Sequence, residues 1–526
     1  MRRIIAALLG TAALVAMSGS TRAETLTVGV FTEATSMHPL YANWNPNNQV
    51  FTHVFSHLIA RGHKHEQYPG LALSWKPIDD KTWEFKLRKD VKWHDGSPFT
   101  VDDVLFTAAE AKNVVSAGSP GGRYFFGKEY KKIDDYTFHV TTGGPYPTMA
   151  EDLAVCTIVS KKHGTGKVVG DYNSGKATIG TGPYKFVEWV NGERVVLEAN
   201  KDYWGGGPND FIPKPRWDKI VYKTLTSDPS RVAAMLTGSV DMIDFVPTPD
   251  IKRLKADKNL TISESASDRV IYLQLDSGRD ISPDVFTNDG KPMFPNPLRD
   301  WRVRKAISMA INRDAIVERV MEGSAIAASQ MPPPFVFGNS PRLKVEKYDL
   351  EGARKLMAHA GYGDGFKMIT RGPNDRYIND SNIVETIAGM LQRIGIKSEV
   401  ITEPKATYFN RMRNYSFMLM GFGTDTGGSS SILTSVVHSL NRANNFGFSN
   451  AGYYQNPRAD KVIEASLVET DNDKREALMQ EAWEISTRDY GHIPLHYQKN
   501  VWAMRKGLEY PGRSDERTIA LFVTKK

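Results

Sequence analysis

The sequence predicts an α/β protein with more than one domain. The chain has 526 residues, which is too long for one ordinary hydrophobic core, so two or three domains are expected. Residues 366–423 alternate strand and helix patterns in the order β-α-β-α-β, which is typical of a doubly wound, mainly parallel sheet. Alternating apolar and polar residues flank Asn191-Gly192, a pair favoured in tight turns, and predict an antiparallel hairpin.

The N-terminal 23 residues have the pattern of a cleavable secretory signal. Arg2 and Arg3 precede an apolar stretch at residues 4–17, and small residues lead to a predicted cleavage site after Ala23. The alternative, a membrane anchor, is disfavoured because the stretch is shorter than the ~20 residues that span a bilayer. The single cysteine, Cys156, is far from the cleavage site, so no lipid anchor is predicted. The sequence therefore predicts an exported protein.

The first half of the chain is predicted to mix strands and helices. Thr100, followed by two acidic residues, predicts the N-cap of a helix that runs to about Val114. Gly238 predicts the end of a helix that begins near Arg231. The other elements predicted here are a strand at 26–31, a helix from about residue 46, a strand or hairpin at 82–96, and a short strand after Gly238.

The second half of the chain is predicted to contain more helix. Apolar residues at helical spacing predict a long helix at 299–323, and a capped helix that starts at Asp349 is predicted to end at Gly361. The β-α-β-α-β region is predicted to have strands at 366–370, 396–402 and 415–423, with helices at 381–395 and 407–414. A last helix at 473–491 precedes a last strand at 492–498.

The segment GFGTDTGG, residues 421–428, carries a single acid, Asp425, directly after the apolar run FMLMGF. Ligands of open α/β sheets bind beyond the carboxyl ends of the strands, and neighbouring glycines let a backbone or a ligand come close. No Lys or Arg lies between Asn414 and Val437, so no neighbour in the sequence neutralises this acid. The pattern leaves two interpretations open, a ligand-binding carboxylate or a cap of the following helix.

Composition and motifs disfavour several function classes. The formal net charge is +7, but no Lys/Arg-rich run carries interleaved aromatics, so no nucleic-acid partner is predicted. A metal site is one interpretation of His53, His57, His63 and His65, but ordinary helix and turn positions are favoured, and neither metal nor cofactor is predicted. Cys156 is interpreted as a small buried residue rather than a nucleophile. No nucleophile–base pair can be assembled, so an enzyme is not predicted.

Six segments, taken in order, resemble one protein family. They are 83–107 (WEFKLRKDVKWHDGSPFTVDDVLFT), 180–186 (GTGPYKF), 200–206 (NKDYWGG), 303–317 (VRKAISMAINRDAIV), 348–362 (YDLEGARKLMAHAGY) and 493–497 (IPLHY). Together they are similar to the large extracytoplasmic solute-binding proteins of ABC transporters, the group that includes dipeptide-, oligopeptide- and nickel-binding proteins. The resemblance covers nearly the whole mature chain.

The resemblance implies a periplasmic-binding-protein-like fold, with two α/β lobes hinged around a ligand cleft and an extra domain on the first lobe. The expected division is a signal peptide at 1–23, lobe one at 24–65, 183–275 and 493–526, the extra domain at 66–182, and lobe two at 276–492. The expected location is the periplasm. A monomer that works with permease subunits in the inner membrane is expected.

The resemblance also implies a set of ligand-binding residues. In the dipeptide- and oligopeptide-binding members, an Asp after a core strand binds the α-ammonium group of the ligand, and Asp425 takes that position. Phe422 replaces the usual Trp, and Gly428 stands where a second Asp is usual, so a peptide is not the only ligand expected. Either Arg371 or Arg376 is expected to bind a ligand carboxylate. The expected ligand-binding residues are Trp44, Asn45, Arg371, Arg376, Phe422, Gly423, Thr424 and Asp425.

The expected function is that of the periplasmic substrate-binding component of an ABC importer. It captures a di- or oligopeptide or a related amine-bearing solute between two closing lobes and delivers it to the permease. One alternative keeps this role but changes the solute to an opine, a sugar conjugate or a nickel chelate. A secreted hydrolase is the alternative from another class.

Overall fold

The structure, a computed structural model, describes residues 23–41, 43–114 and 124–526. The predicted signal peptide lies outside the described residues except for Ala23. Among the residues that the structure describes, no helix is both long enough and apolar enough to cross a membrane.

The N-terminal third contains short strands and helices. The strands are β1 (Thr25–Val30), β2 (Ile59–Arg61), β3 (Gln67–Pro69), β4 (Ala72–Pro77), β5 (Thr82–Leu87), β6 (Lys128–Lys132) and β7 (Thr137–Thr142). The helices are α1 (Asn45–Val54), α2 (Val101–Asn113), α3 (Met149–Leu153), α4 (Lys161–Gly164) and α5 (Val169–Asn173). The predicted N-cap of α2 is confirmed, because the Thr100 hydroxyl accepts the backbone N–H of Asp102.

The next region continues with strands and two helices. The strands are β8 (Tyr184–Val190), β9 (Arg194–Ala199), β10 (Lys219–Thr224), β11 (Met242–Ile243) and β12 (Leu260–Leu275), and the helices are α6 (Asp228–Thr237) and α7 (Thr248–Ala256). The predicted hairpin is confirmed, since Val190 of β8 pairs with Arg194 of β9. Gly192 has a φ of +76°, which the tight turn between them requires.

The C-terminal half contains most of the helix. The strands are β13 (Val285–Phe286), β14 (Ala325–Ala327), β15 (Phe366–Pro373), β16 (Ile396–Glu403), β17 (Phe417–Phe422), β18 (His492–Arg505), β19 (Leu508–Glu509) and β20 (Thr524–Lys525). The helices are α8 (Trp301–Ala310), α9 (Arg313–Ala315), α10 (Leu350–His359), α11 (Asp380–Gln392), α12 (Lys405–Arg411), α13 (Ser430–Ile432), α14 (Pro457–Ser466) and α15 (Asn472–Arg488).

One sequence prediction about this half is wrong, and another is confirmed only in part. The long helix predicted at 299–323 is interrupted, because the Asn312 side chain accepts the N–H of Ala315 and starts a new helix after α8 has ended at Ala310. The three strands of the β-α-β-α-β region are parallel as predicted, but the sheet as a whole is mixed. β15 pairs in parallel with β16 and β17, but β13 pairs with β15, and β12 with β17 and β18, in the antiparallel sense.

Two long strands connect the two halves of the molecule. In the described chain, twelve strands form one hydrogen-bonded sheet, and β12 and β18 lie side by side at its centre. One end of this antiparallel pair adjoins β11 and β1, and the other end adjoins β17 and β15. The register shifts between Ala266 and Val270, so the pairing is interrupted where the two ends meet.

Separate hydrophobic cores lie on each side of this interruption. One core combines β1, α1 and the β8–β10 strands with the C-terminal residues 519–523, and we call this side the first lobe. A second core, drawn from residues 58–158, covers the four-stranded sheet β4-β5-β7-β6 beside the first lobe. Residues 270–497 supply two further cores on opposite faces of β12, β17 and β18, and we call this side the second lobe. The residue bounds of the domains given above stay a prediction.

A buried ion pair lies at the interruption between the lobes. Arg269 donates Nε–H and Nη2–H to the two carboxylate oxygens of Glu516, both at 2.8 Å, and the Ser267 hydroxyl donates to the same carboxylate at 2.9 Å. Burial acts to raise the pKa of Glu516, but Arg269, followed by Arg376 and the Ser267 hydroxyl, together hold this pKa below its usual range. The pair fixes the C-terminal segment against the crossing of β12 and β18.

We expect Arg269→Gln to destabilise the protein by about 3–5 kcal/mol, because it leaves Glu516 buried without its cation. Urea unfolding at pH 7 measures this change. A depressed pKa contributes stability above the unfolded value and loses it on acidification. The difference between wild type and variant should therefore shrink as the pH falls below 4.5, the ordinary value for Glu516.

Arg458→Gln is the matched control for this variant. Arg458 pairs with Glu481 at 3.0 Å, but the Arg458 side chain is 73% exposed, so its removal should cost no more than about 1 kcal/mol. Equal losses of stability in the two variants would contradict a structural role for the Arg269–Glu516 pair.

Candidate functional site

The loop that follows β17 is held in shape by Thr424. The first four residues of β17 are buried, and the chain turns after Phe422. The Thr424 hydroxyl accepts the backbone N–H of Gly427 at 3.1 Å and donates to the carbonyl of Gly428 at 2.9 Å. This closed turn presents Asp425 at the carboxyl end of the strand, where the sequence predicted it.

The glycines of this loop lie directly against side chains of the opposite side. A Cβ atom on Gly427 would lie 2.4 Å from Cβ of His65, and Gly427 also has a φ of +86°. A Cβ on Gly428 would lie 2.8 Å from Oε2 of Glu151. The small residues therefore permit a close approach between the second lobe and the elements around β2 and α3.

Asp425 contacts two side chains that are distant in the sequence. The Tyr124 hydroxyl donates to Oδ2 of Asp425 at 3.1 Å, and Nη1 of Arg61 donates to the Asp425 backbone carbonyl at 2.5 Å. Asp425 therefore has protein contacts even though no basic residue lies near it in the sequence. The helix-cap interpretation is not supported, since α13 begins only at Ser430 and the N–H groups of Ile432 and Leu433 bond to the Ser429 carbonyl.

A chain of hydrogen bonds leads from Arg61 to the crossing of the long strands. Nη2 of Arg61 donates to Nδ1 of His65, and Nε2 of His65 donates to Oδ2 of Asp268 at 2.8 Å. Burial, and then the Arg61 guanidinium, keep the pKa of His65 well below its usual range. A neutral His65 that donates from Nε2 and accepts at Nδ1 satisfies both contacts.

A second bridge between the two sides is the ion pair of Glu151 and Arg475. Nη1 of Arg475, on α15, donates to Oε1 of Glu151, on α3, at 3.1 Å. Both side chains are largely buried, and the Arg475 guanidinium also lies 4.7 Å from the centre of the Phe337 ring. We call this contact region the interlobe junction; its residues are Arg61, His65, Tyr124, Glu151, Asp425, Gly427, Gly428 and Arg475.

The two candidate arginines have different environments. Arg371 lies on β15 and is held by Asp284, with bonds of 2.8 and 2.9 Å. Arg376 is exposed as a residue, its guanidinium lies 5.2 Å from the centre of the Tyr377 ring, and it forms no ion pair within the described residues. Burial of the guanidinium, and then the charge of Arg269, lower its pKa. Arg371 is thus paired with a carboxylate of the protein, whereas Arg376 is available to a ligand.

Three other expected residues are spread around the junction. Trp44 is 55% exposed just before α1, and Phe422 packs partly against a second-lobe core. Asn45 contacts the C-terminal segment, where its amide donates to the Asp515 carbonyl at 3.1 Å. Tyr377 adds a feature that was not predicted, because its hydroxyl accepts the N–H of Gly421 at 2.8 Å and so occupies the end of β17.

The four clustered histidines have separate environments. His53 lies between the Gln49 carbonyl and the Leu521 N–H, and burial lowers its pKa to about 4. The His63 ring packs against Phe522, and His65 belongs to the chain of hydrogen bonds described above. Within the described residues, no group of three or more His, Cys, Asp or Glu side chains could hold a metal ion.

Residues 66–444 match the family model described as bacterial extracellular solute-binding proteins, family 5 middle. The chain belongs to this family. The dipeptide-binding protein of Escherichia coli (strain K12) is 28% identical over 451 residues, covering 79% of this chain and 78% of that protein. The resemblance predicted from the six sequence segments is confirmed.

Solved structures confirm the predicted two-lobed fold for this solute-binding protein. DppA from Helicobacter pylori, in complex with the peptide STSA, has a TM-score of 0.75 at 24% identity and covers 95% of this chain and 98% of its own. AgaA from A. tumefaciens R10, in complex with agropinic acid, has a TM-score of 0.75 at 21% identity and covers 95% of this chain and 99% of its own.

Sequence reasoning missed most of the first-lobe side of the junction. Arg61, Tyr124 and Glu151 follow no motif, and each is hundreds of residues from its second-lobe partner. One signal was present in the C-terminal segment RSDERTIALFV, where four charged residues precede an apolar run. Such a run is usually solvated, yet Arg513, Asp515, Glu516 and Arg517 are all buried in this protein.

We expect Gly427→Ala to weaken ligand binding about tenfold or more, because the new Cβ overlaps His65 when the lobes are together. Isothermal calorimetry measures the change with a solute found by thermal-shift screening. Gly361→Ala is the matched control, since Gly361 has a similar φ of +88° but nothing within 4 Å of its Cβ position.

Both glycine variants should lose about 1–2 kcal/mol of folding stability from the left-handed backbone. Only Gly427→Ala should lose affinity. Equal affinities in the two variants would show that the lobes do not close onto this loop.

Proposed function

We propose that this protein is the periplasmic substrate-binding component of an ABC importer that captures a peptide-like, amine-bearing solute. The protein delivers the solute to permease subunits in the inner membrane. Membership of the solute-binding family supports the transport role, and the interlobe junction around Asp425 supports the site. A cleavable signal peptide, a mature monomer without a lipid anchor and a hinge between the lobes belong to the same proposal.

Asp425 is proposed to bind the cationic group of the solute. It lies at the carboxyl end of a core strand, which is where open α/β sheets bind ligands. Contact with Arg61 fixes its backbone, and contact with Tyr124 orients its carboxylate while leaving the side chain only partly buried. Charge-assisted hydrogen bonds from an ammonium group contribute about 1.5–3 kcal/mol each. This supports an amine as the recognised group.

Arg376 is proposed to bind a carboxylate of the solute. It forms no ion pair in the described part of the chain, and burial lowers the pKa of its guanidinium, so a ligand carboxylate would stabilise its charge, whereas Asp284 already holds Arg371. Tyr377, the next residue, contacts Gly421 and so connects this segment with the end of β17. An amine site at Asp425 and a carboxylate site at Arg376 would together select a zwitterionic solute.

A second candidate keeps the transport role but takes a compact non-peptide solute, such as an opine. An extended peptide can bind by adding a strand to a free sheet edge. At the end of β17, the Tyr377 hydroxyl already occupies the N–H of Gly421. This contact favours a solute that does not pair with the strand. A thermal-shift screen against dipeptides, tripeptides, longer peptides and opines separates the two candidates, because a ligand stabilises in proportion to ln(1 + [L]/Kd).

We expect Asp425→Asn to keep the fold and to lose roughly 3–5 kcal/mol of ligand affinity, the cost of removing one partner of a buried charge pair. This is about two to three and a half decades in Kd, which calorimetry measures. The amide can still accept the Tyr124 hydrogen bond, so the melting temperature without ligand should move little.

Asp364→Asn is the control for this substitution. Asp364 is exposed between α10 and β15, and its side chain forms no ion pair within the described residues, so its substitution should not change Kd. Wild-type affinity in Asp425→Asn would refute the amine-binding role.

We expect the protein to become more compact when it binds its solute, because periplasmic binding proteins close by a hinge movement. Small-angle X-ray scattering at saturating ligand should give a smaller radius of gyration than the ligand-free protein. Superimposable curves with and without a saturating ligand would contradict closure as the response to binding.

A further inference from the structure

A small cavity lies behind the interlobe junction in the first lobe. Its volume is about 40 Å³, enough for two or three water molecules or for a chloride-sized or carboxylate-sized group. Arg61 forms part of its wall and at the same time holds the Asp425 carbonyl. The cavity therefore adjoins the proposed ligand site without including Asp425.

Three arginines line this cavity, Arg61, Arg513 and Arg517. Each of these residues is at least nine-tenths buried. Arg513 is neutralised by Asp515, with bonds of 2.9 and 2.6 Å, and the same carboxylate lies 3.9 Å from Nε of Arg517. Asp515 is the one carboxylate that contacts these groups among the described residues. The wall thus carries more positive than negative charge.

Two of these guanidinium groups have donors without protein acceptors. Nε of Arg61 is buried and has no hydrogen-bond partner. Arg517 bonds through Nε to Asn45 at 3.4 Å, and its Nη atoms form no hydrogen bond within the described residues. A buried donor without an acceptor is costly, so an acceptor in the cavity would offset this penalty.

The surrounding side chains are consistent with this excess of positive charge. His57 lines the cavity, and burial followed by the charges of Arg517, Arg61 and Arg513 lowers its pKa to about 3. His57 is therefore neutral and adds no further cation. Phe55, Trp204 and Phe522 supply apolar walls that exclude bulk water and strengthen electrostatic attraction within the cavity.

We infer that this cavity is an anion-binding site for a monovalent group of carboxylate or halide size, held by Arg61 and Arg517. Guanidinium groups are well suited to such a group, since their planar donors match a carboxylate. The group has two possible sources, a free small anion or the carboxylate of the captured solute. If the group is the carboxylate of the captured solute, the inference rests on the proposed function; if it is a free anion, it does not.

The first test needs no variant. Crystals of the full mature protein grown in sodium bromide are expected to show an anomalous bromine peak in the cavity, within hydrogen-bond reach of Arg61 and Arg517. Crystals of the solute-loaded protein would instead show a ligand carboxylate there if the solute is the source. Either result supports the site, and the two results distinguish the sources. Only water in the cavity under both conditions would overturn the inference.

The second test uses melting temperature at constant ionic strength. Replacing gluconate, which is too large for the cavity, by bromide or formate should raise the melting temperature of the wild type. Arg517→Gln should raise the apparent Kd for bromide about 10- to 100-fold, the equivalent of a lost charge-assisted hydrogen bond. Arg458→Gln, which alters an exposed arginine, should behave as the wild type. A wild-type melting temperature that is indifferent to bromide and formate would contradict the site.

Discussion

Contact between the lobes removes charged side chains from water. Hydrogen bonds and ion pairs elsewhere in the structure offset the free-energy cost of this desolvation. At the junction, Arg61 donates one hydrogen bond to the Asp425 carbonyl and another to His65. Arg475 meets Glu151 from the other lobe, and Arg269 meets Glu516 where the long strands cross. Buried ion pairs of this kind are a weak source of net stability, but breaking one is expensive. An arrangement of the lobes that kept these residues buried but separated them from their partners would therefore be disfavoured.

The glycine loop makes this arrangement possible. Gly427 and Gly428 allow the backbone after β17 to approach His65 and Glu151 more closely than any residue with a side chain could. The Glu151 carboxylate thus lies beside Gly428 and leaves no room for a side chain at that position.

Local elements could be predicted from the sequence because neighbouring residues determine them. Thr100 caps α2 and Gly192 turns the β8–β9 hairpin through contacts within a few residues. The location of Asp425 could also be predicted, since strand order alone assigns it to the carboxyl end of β17. The long helix was mispredicted because the apolar spacing continues through Asn312, where a side-chain hydrogen bond overrides it.

The partners of Asp425 could not be predicted in this way. Tyr124 and Arg61 reach it across 301 and 364 residues of chain, and only the fold brings them together. The buried charges at 513–517 were missed for a related reason. A charged run normally indicates a solvated surface, and its burial depends on partners such as Arg269 and Asn45 from distant elements.

Recognition of the solute rests on Asp425, which is proposed to receive its cationic group at the closed junction. A crystal structure of the protein with the solute that co-purifies with it tests this role directly. We expect a ligand nitrogen about 2.7–2.9 Å from the Asp425 carboxylate, with the lobes in contact through the glycine loop. A bound solute whose cationic group lies elsewhere, with Asp425 contacting protein groups alone, would contradict it.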